Sequence, residues 1–184
     1  MKLQRMFQAW LATALLLATG LAFAAGGNDH VEPGTGIAFG SFDITDSDLA
    51  VTHVVLMRIK PTRMYMGSGG EKATVTYNHG EFYSANLTPG IYSLIGFFSG
   101  NKFFALDARP GDKAFTVEAG RAAYAGSYKL VLAKGGLFRR DKGTFEPITS
   151  YEEEGRLLHW LAQELKGSGW AAIVNARMTE TGRK

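Results

Sequence analysis

The sequence contains no cysteine, and its acidic and basic residues are nearly balanced in number. Without cysteine the chain can form no disulfide, no Cys-ligated zinc or iron–sulfur site, no thiol nucleophile and no cysteine-linked lipid anchor. A hydrophobic fraction of 46% and a charged fraction of 20% argue against intrinsic disorder. A domain of this size can bury a sufficient core without covalent or metal cross-links.

Residues 1–24 are typical of an export signal. Lys2 and Arg5 are followed by an apolar run, and Ala22-Phe23-Ala24 places small residues where a signal peptidase reads them. A retained N-terminal anchor is the alternative, but the run is short for a bilayer and no second long apolar stretch follows. The sequence therefore predicts a periplasmic or secreted protein, cleaved near Ala24, with no transmembrane span in the mature chain.

Cleavage would remove two positive charges and lower the formal net charge from +3 to +1. A chain that is so nearly neutral gives little support to a nucleic-acid partner. No nucleic acid is therefore expected among the partners of the mature protein.

The mature chain is predicted to be mainly β, an antiparallel β-sandwich of about seven to nine strands with a short C-terminal helical segment. Residues 25–36 form a polar lead-in arm, and 37–148 form the sandwich, in which short apolar or alternating runs are broken by Gly, Pro, Asn and Asp. The predicted strands are 36–44, 51–60, 72–77, 81–87, 91–98, 102–107, 114–117, 122–133 and 137–140.

The alternation within these runs assigns side chains to sheet faces. His53, Val55 and Met57 share one face, and Tyr124 and Tyr128 are expected to share another. The run 91–98 is apolar on both faces, which is typical of a central strand, and its Gly96 indicates a bulge or a close approach of another element.

Residues 149–178 are predicted to form helices that pack on the sandwich, followed by a frayed tail over 179–184. Ser150 and Glu153 fit a capping box, in which each side chain bonds the backbone N–H of the other residue. A stripe at helical spacing should face the sandwich; it consists of Tyr151, Leu158, Leu161, Ala162 and Leu165.

Two segments combine an aromatic residue, a glycine turn and a later tyrosine. In 82–94 the turn is Pro89-Gly90, and in 115–126 it is centred on Gly120. Both segments resemble hairpins of prealbumin-like β-sandwich modules, which include the carboxypeptidase-regulatory-like and PEGA-type domains of bacterial envelope proteins. This resemblance implies a sandwich fold, an envelope location and a structural, adhesive or binding role, and it transfers no catalytic residue.

Methionines and one histidine offer an alternative function. Met64 and Met66 are two residues apart, so in a strand both thioethers point to one side, and His53 could complete a soft-metal site. The competing interpretation is that these methionines fill gaps in the core. No cofactor is predicted for the leading function.

Two surfaces are candidates for partner binding. The hairpin 129–142 is basic and partly aromatic, with Phe138, Arg139 and Arg140 near its end, and suits an anionic lipid surface or an acidic glycan. Its charges could instead keep a strand edge from aggregating. On the helix, Trp160 and Arg156 lie away from the leucine stripe, so Trp160 is either covered by the following segment or exposed as an anchor.

The leading prediction is an exported, non-enzymatic binding or structural module of the cell envelope, with an envelope protein, a glycan or an anionic lipid surface as its partner. The alternative is a periplasmic protein that binds a soft metal or another small ligand. A glycan-acting hydrolase ranks third, because the sequence places no acid–base pair of carboxylates. Asp43 belongs to an acidic turn, for which a capped turn is predicted rather than a metal loop.

Overall fold

The computed structural model describes residues 30–45, 47, 49–61, 76–78, 80–105, 114–133 and 142–182. The export segment, Met64, Met66 and the predicted strand 137–140 lie outside these residues.

The strands form two sheets that face each other. The larger sheet has the order β3-β4-β1-β8-β9, and in the smaller sheet β5 lies between β2 on one side and β6 and β7 on the other. The mainly β sandwich is therefore confirmed. The strand bounds are β1 Gly36–Asp43, β2 His53–Lys60, β3 Thr76–Asn78, β4 Glu81–Leu87, β5 Gly90–Ser99, β6 Lys102–Ala105, β7 Ala114–Val117, β8 Ala122–Ala133 and β9 Lys142–Pro147.

Strand β1 departs from the antiparallel expectation. It pairs antiparallel with β4, but parallel with β8, where Ile37 lies opposite Ala122. Parallel neighbours need a long connection, and Ser41 and Ser127 on these two strands are 86 residues apart. Because alternation within a strand carries no information about the direction of its neighbour, the pattern could not predict this pair.

Two hydrophobic clusters cover the faces of β1. Between the sheets its Phe42 packs among aromatic rings, including Phe82 and Phe97 at 5.5 and 5.3 Å. On the opposite face Ile37 and Phe39 pack against the helices. The molecule thus has three layers: the smaller sheet, the larger sheet and the helices.

The helices confirm the predicted C-terminal segment. Helix α1 spans Tyr151–Glu164 and helix α2 spans Ala171–Thr181. The predicted leucines of the stripe are buried, together with Leu157, which the stripe did not include. Among the described residues, neither helix is long and apolar enough to cross a membrane.

The two turns on which the family resemblance depends join different sheets. Strands β4 and β5, which flank Pro89, pair with other strands, and so do β7 and β8. Pro89 is fixed by Arg58, whose Nη2 donates to its carbonyl oxygen at 2.7 Å. These segments are therefore corners of the sandwich and not hairpins.

Strand β9 was not predicted. It pairs antiparallel with β8, with Phe145 opposite Leu130, and closes one edge of the larger sheet. Phe145 is buried, whereas Thr144 and Glu146 on either side of it are exposed. A short edge strand with one apolar side chain leaves too weak an alternation for sequence analysis to detect.

Candidate functional site

A cleft of about 560 Å³ opens between the ends of β1 and β4 and the first turns of α1. Cavities of this size with a few convergent polar groups commonly hold small ligands. Its apolar lining comes from Phe42, Ile44, Leu49 and Ile148, with Gly80 at one edge, and its polar lining comes from Ser41, Asp43, Thr45, Ser47, Glu81, Glu153 and Arg156.

Two buried serines, of which Ser41 lines the cleft, meet a helix carboxylate. Ser41 Oγ lies 2.8 Å from Ser127 Oγ, and Glu153 Oε1 lies 3.1 and 3.3 Å from these two hydroxyls. The phenol of Tyr124 donates to Ser127 Oγ at 2.8 Å. Both serines are at most 5% exposed, so this chain of hydrogen bonds attaches the first turn of α1 to the centre of the larger sheet.

These contacts change the predicted capping box. The Ser150 side chain accepts from the backbone N–H of Glu152 at 3.2 Å, so Ser150 is the N-cap as predicted, but its partner is Glu152 and not the predicted Glu153. The Glu153 side chain, however, reaches the serines of the sheet and not the backbone of Ser150. The reciprocal half of the box was therefore wrong, because burial of α1 on the sheet offers this carboxylate two hydroxyl donors.

Arg156 bridges two carboxylates of the cleft. Its Nε and Nη2 donate to Glu153 Oε2 and Oε1 at 3.1 and 2.8 Å, and its Nη1 donates to Glu81 Oε1. The hydrogen bonds from Arg156 lower the pKa of Glu153, and the same bonds raise the pKa of Arg156. Glu153 is therefore held ionised beside the guanidinium group, which also bonds Glu81.

Asp43 supplies a third carboxylate at the end of β1. Its Oδ1 accepts from the hydroxyl and the backbone N–H of Thr45, at 2.6 and 3.2 Å. The hydroxyl bond from Thr45 is the main cause of the lowered pKa of Asp43. The predicted capped turn is thus present. The three carboxylates that line the cleft outnumber its one guanidinium group, so the net negative charge of the lining favours a cation.

A bulge in β8 brings Ser127 to this site. Phe39 lies opposite Tyr124 and Ser41 opposite Ser127, so one residue of β1 faces two residues of β8. Gly126 within the bulge has φ +101°, and a Cβ there would lie 2.6 Å from Tyr128 Oη. The bulge places Tyr124 on the helix side and Tyr128 in the inter-sheet core, so the prediction that they share a face was wrong.

The arrangement orients charges and does not move protons readily. A carboxylate with a lowered pKa, such as that of Glu153, is a weak base and a poor general acid. Burial raises the pKa of Tyr124, and it raises that of Tyr128 to about 12, so both phenols stay protonated at neutral pH. The described lining of the cleft includes neither histidine nor lysine beside the serines.

The residues predicted to bind partners fall in different places. Arg156 lines the cleft. Trp160 is half-buried at the edge of the helix layer, with its ring 6.1 Å from that of Tyr83, and its Nε1 is buried without a hydrogen-bond partner. Phe138, Arg139 and Arg140 lie outside the described residues; β8 before them pairs with β9 after them, which is not the strand 137–140 predicted for this hairpin.

Of the residues predicted for the alternative soft-metal site, only His53 is described, because Met64 and Met66 lie outside the described residues. His53 is exposed at the start of β2, and its ring meets that of Phe98 edge-on at 6.5 Å. Within the described ranges no group of three His, Asp or Glu side chains is arranged to hold a metal ion.

Most of the cleft residues were not predicted as site residues. Ser41, Ser127 and Glu81 come from three strands whose neighbours in the sheet the sequence does not specify. The one available signal was the position of Ser41 and Ser127 inside otherwise apolar runs, since a buried hydroxyl needs a partner.

Comparison of the chain with protein-family models, with curated proteins and with solved structures finds no match.

Proposed function

We propose that the protein is an exported, non-enzymatic binding module of the cell envelope, and that its cleft holds a small cationic group, such as the amine of an envelope peptide or amino sugar. The observation that carries this proposal is the composition of the cleft, whose lining combines the carboxylates of Asp43, Glu81 and Glu153 with the single guanidinium of Arg156. A positively charged ligand group would restore the charge balance, and the apolar part of the lining would contact its carbon atoms.

Binding fits this geometry better than catalysis. A glycan hydrolase needs a carboxylic acid whose pKa is raised so that it can protonate the leaving group. Arg156 has the opposite effect on the pKa of Glu153. A serine nucleophile would need a neighbouring base, and the carboxylate beside Ser41 is neutralised by Arg156.

Export into the envelope is supported by the residues at the N-terminus. The mature chain is expected to begin after Ala24. Intact-mass measurement of the exported protein tests this expectation, and a form that retains Met1 would overturn it. The prealbumin-like resemblance agrees with such a location and remains a proposal about relationship.

Thermal unfolding in the presence of small probes tests the cleft. Ethanolamine and D-glucosamine should raise the melting temperature, because both carry an amine, whereas N-acetyl-D-glucosamine and glycerol should not. The Asp43→Asn variant should lose this stabilisation while keeping the oxygen that accepts from Thr45.

Glu164→Gln is the matched control, since it removes one carboxylate at an exposed position near the end of α1. It should respond to the amines as the wild type does. Equal responses of Asp43→Asn and the wild type, or no response of the wild type, would exclude the cleft as a site for cationic groups.

A further inference from the structure

An aromatic side chain is exposed to solvent at the end of the β5–β6 hairpin. Phe103 is 44% exposed and is the one exposed large hydrophobic side chain of the described residues. Its ring lies 5.1 Å from that of Phe98, which in turn meets His53. We call the group formed by His53, Phe98, Lys102 and Phe103 the aromatic tip.

The sheet register explains why this ring faces outward. Phe104 lies opposite Phe97, and the two rings stack in the inter-sheet core at 5.3 Å. Phe103 lies opposite Phe98, so both point to the outer face of the smaller sheet. Phe103 lies over Gly96, where φ is +152° and a Cβ would be 2.8 Å from its ring. The backbone thus leaves room for the ring to lie against the outer surface.

The charged residues within the described strands of the smaller sheet are all basic. Strands β2, β5, β6 and β7 contain no Asp or Glu, and their cations are Arg58, Lys60 and Lys102. Arg58 is bonded to Pro89, and Lys60 lies opposite Ile91, at the end of β2 away from the tip, whereas Lys102 is exposed within the tip. Asp46, Asp48, Asp107 and Asp112, in the segments between strands, lie outside the described residues.

We propose that the aromatic tip docks on the surface of an anionic phospholipid bilayer. Phe103 would enter the interface between headgroups and acyl chains, while Lys102 would meet the headgroup phosphates. The combination of an exposed ring with an adjacent cation, on a sheet whose described strands lack carboxylates, complements such a surface in both polarity and charge. This inference does not depend on the cleft, and it rests on the proposed export only for the presence of a membrane.

Sedimentation with lipid vesicles tests the proposal. The exported protein should co-sediment with vesicles that contain phosphatidylglycerol and much less with pure phosphatidylcholine vesicles, and added salt should weaken binding. Phe103→Ser should weaken binding about tenfold or more, because the variant has no aromatic ring to transfer from water into the membrane interface. Lys102→Glu should weaken it about tenfold, through repulsion from the anionic surface.

Lys166→Glu is the matched control, since it makes the same charge change at an exposed position after α1, in the helix layer. Lys166→Glu should bind the anionic vesicles several fold more tightly than Lys102→Glu does. Because Phe103→Ser could also disturb packing on Gly96, its melting temperature is measured in parallel, and Lys102→Glu tests the proposal without that complication.

Three outcomes would overturn the proposal. The folded wild type could fail to bind anionic vesicles, or Lys102→Glu and Lys166→Glu could bind equally. Light scattering could instead reveal a dimer that Phe103→Ser makes monomeric, in which case the tip is an interface between two copies of this chain. None of these outcomes affects the response of the cleft to amines, so the two proposals fail separately.

Discussion

The two sheets of the sandwich differ in how much of their surface the described chain covers. Strand β1 at the centre of the larger sheet is buried on both faces, by the inter-sheet core and by the helices. The corresponding central strand of the smaller sheet, β5, buries Tyr92 and Leu94 inward, while Phe98 on its other face is half-buried beside the exposed Phe103. The polar cleft therefore belongs to the doubly covered sheet, and the aromatic tip belongs to the other.

The two sheets therefore differ in how firmly buried contacts hold their side chains. The larger sheet is attached to its helices by leucines and by the Glu153 network, so its polar groups are fixed in position. The smaller sheet has described side chains such as Phe103 that no other element buries. The following variants test whether the two sheets differ energetically as their burial suggests.

The largest loss of stability is expected at the interface between the helices and the larger sheet. Leu161 is fully buried there, and Leu161→Ala should lower the free energy of unfolding by about 2–5 kcal/mol. Urea denaturation followed by circular dichroism measures this change. Trp160→Ala, at the half-buried edge of the same layer, should cost clearly less; equal losses would make Trp160 part of the core and remove it as a surface for partners.

A smaller loss is expected where the helix carboxylate meets the sheet. Glu153→Ala removes the acceptor shared by Ser41, Ser127 and Arg156, which should cost about 1–3 kcal/mol because buried hydroxyls lose a partner. The same urea experiment applies. Glu152→Ala, at an exposed position one residue earlier, is the control and should change stability little; similar costs at both positions would show that the network contributes nothing specific.

Acid should weaken the attachment of α1 through the same group. The native pKa of Glu153 is lowered, so its stabilising effect is present above its ordinary pKa and is lost as pH falls through the native value. The urea midpoint should therefore decrease below about pH 4. Glu153→Gln should show a shallower decrease than the wild type over that range, and parallel pH profiles would contradict the assignment.

The smallest effect is expected on the outer face of the smaller sheet. Val55 lies there, opposite Gly96, and is only partly buried. Val55→Ala should cost about 1 kcal/mol or less, because little apolar surface returns to water. A loss as large as that of Leu161→Ala, measured in the same urea series, would mean that this face is as well covered as the opposite sheet and would remove the contrast between them.

The local sequence pattern was sufficient to predict where strands and helices lie, but not which strands pair with each other. The runs 81–87, 114–117 and 122–133 were predicted with the observed bounds, because apolar alternation and turn residues are local signals. The leucine stripe of α1 was identifiable for the same reason. The parallel β1–β8 pair, the two corners between sheets and the bulge at Gly126 depend on contacts between distant residues, which a single sequence does not encode in its spacing.

The site was harder to predict from the sequence than the fold, for the same physical reason. Ser41, Ser127 and Glu153 become a site only when β1 and β8 lie side by side beneath α1. Arg156 was singled out for a different role, as a flank of Trp160, since its two carboxylate partners are separated in sequence and only one of them lies on its own helix.

The position of β1 also constrains the order in which the molecule can assemble. β1 is the first described strand of the chain, yet one of its two neighbours is β8, and Ser41 meets Ser127 only after 86 further residues have been delivered. A chain that emerges with its N-terminus first, from a ribosome or from a translocation channel, must therefore keep the apolar strand β1 without its full set of hydrogen bonds until β8 arrives. Such distant pairing slows folding. The same delay would keep the chain unfolded during the export that we propose for it.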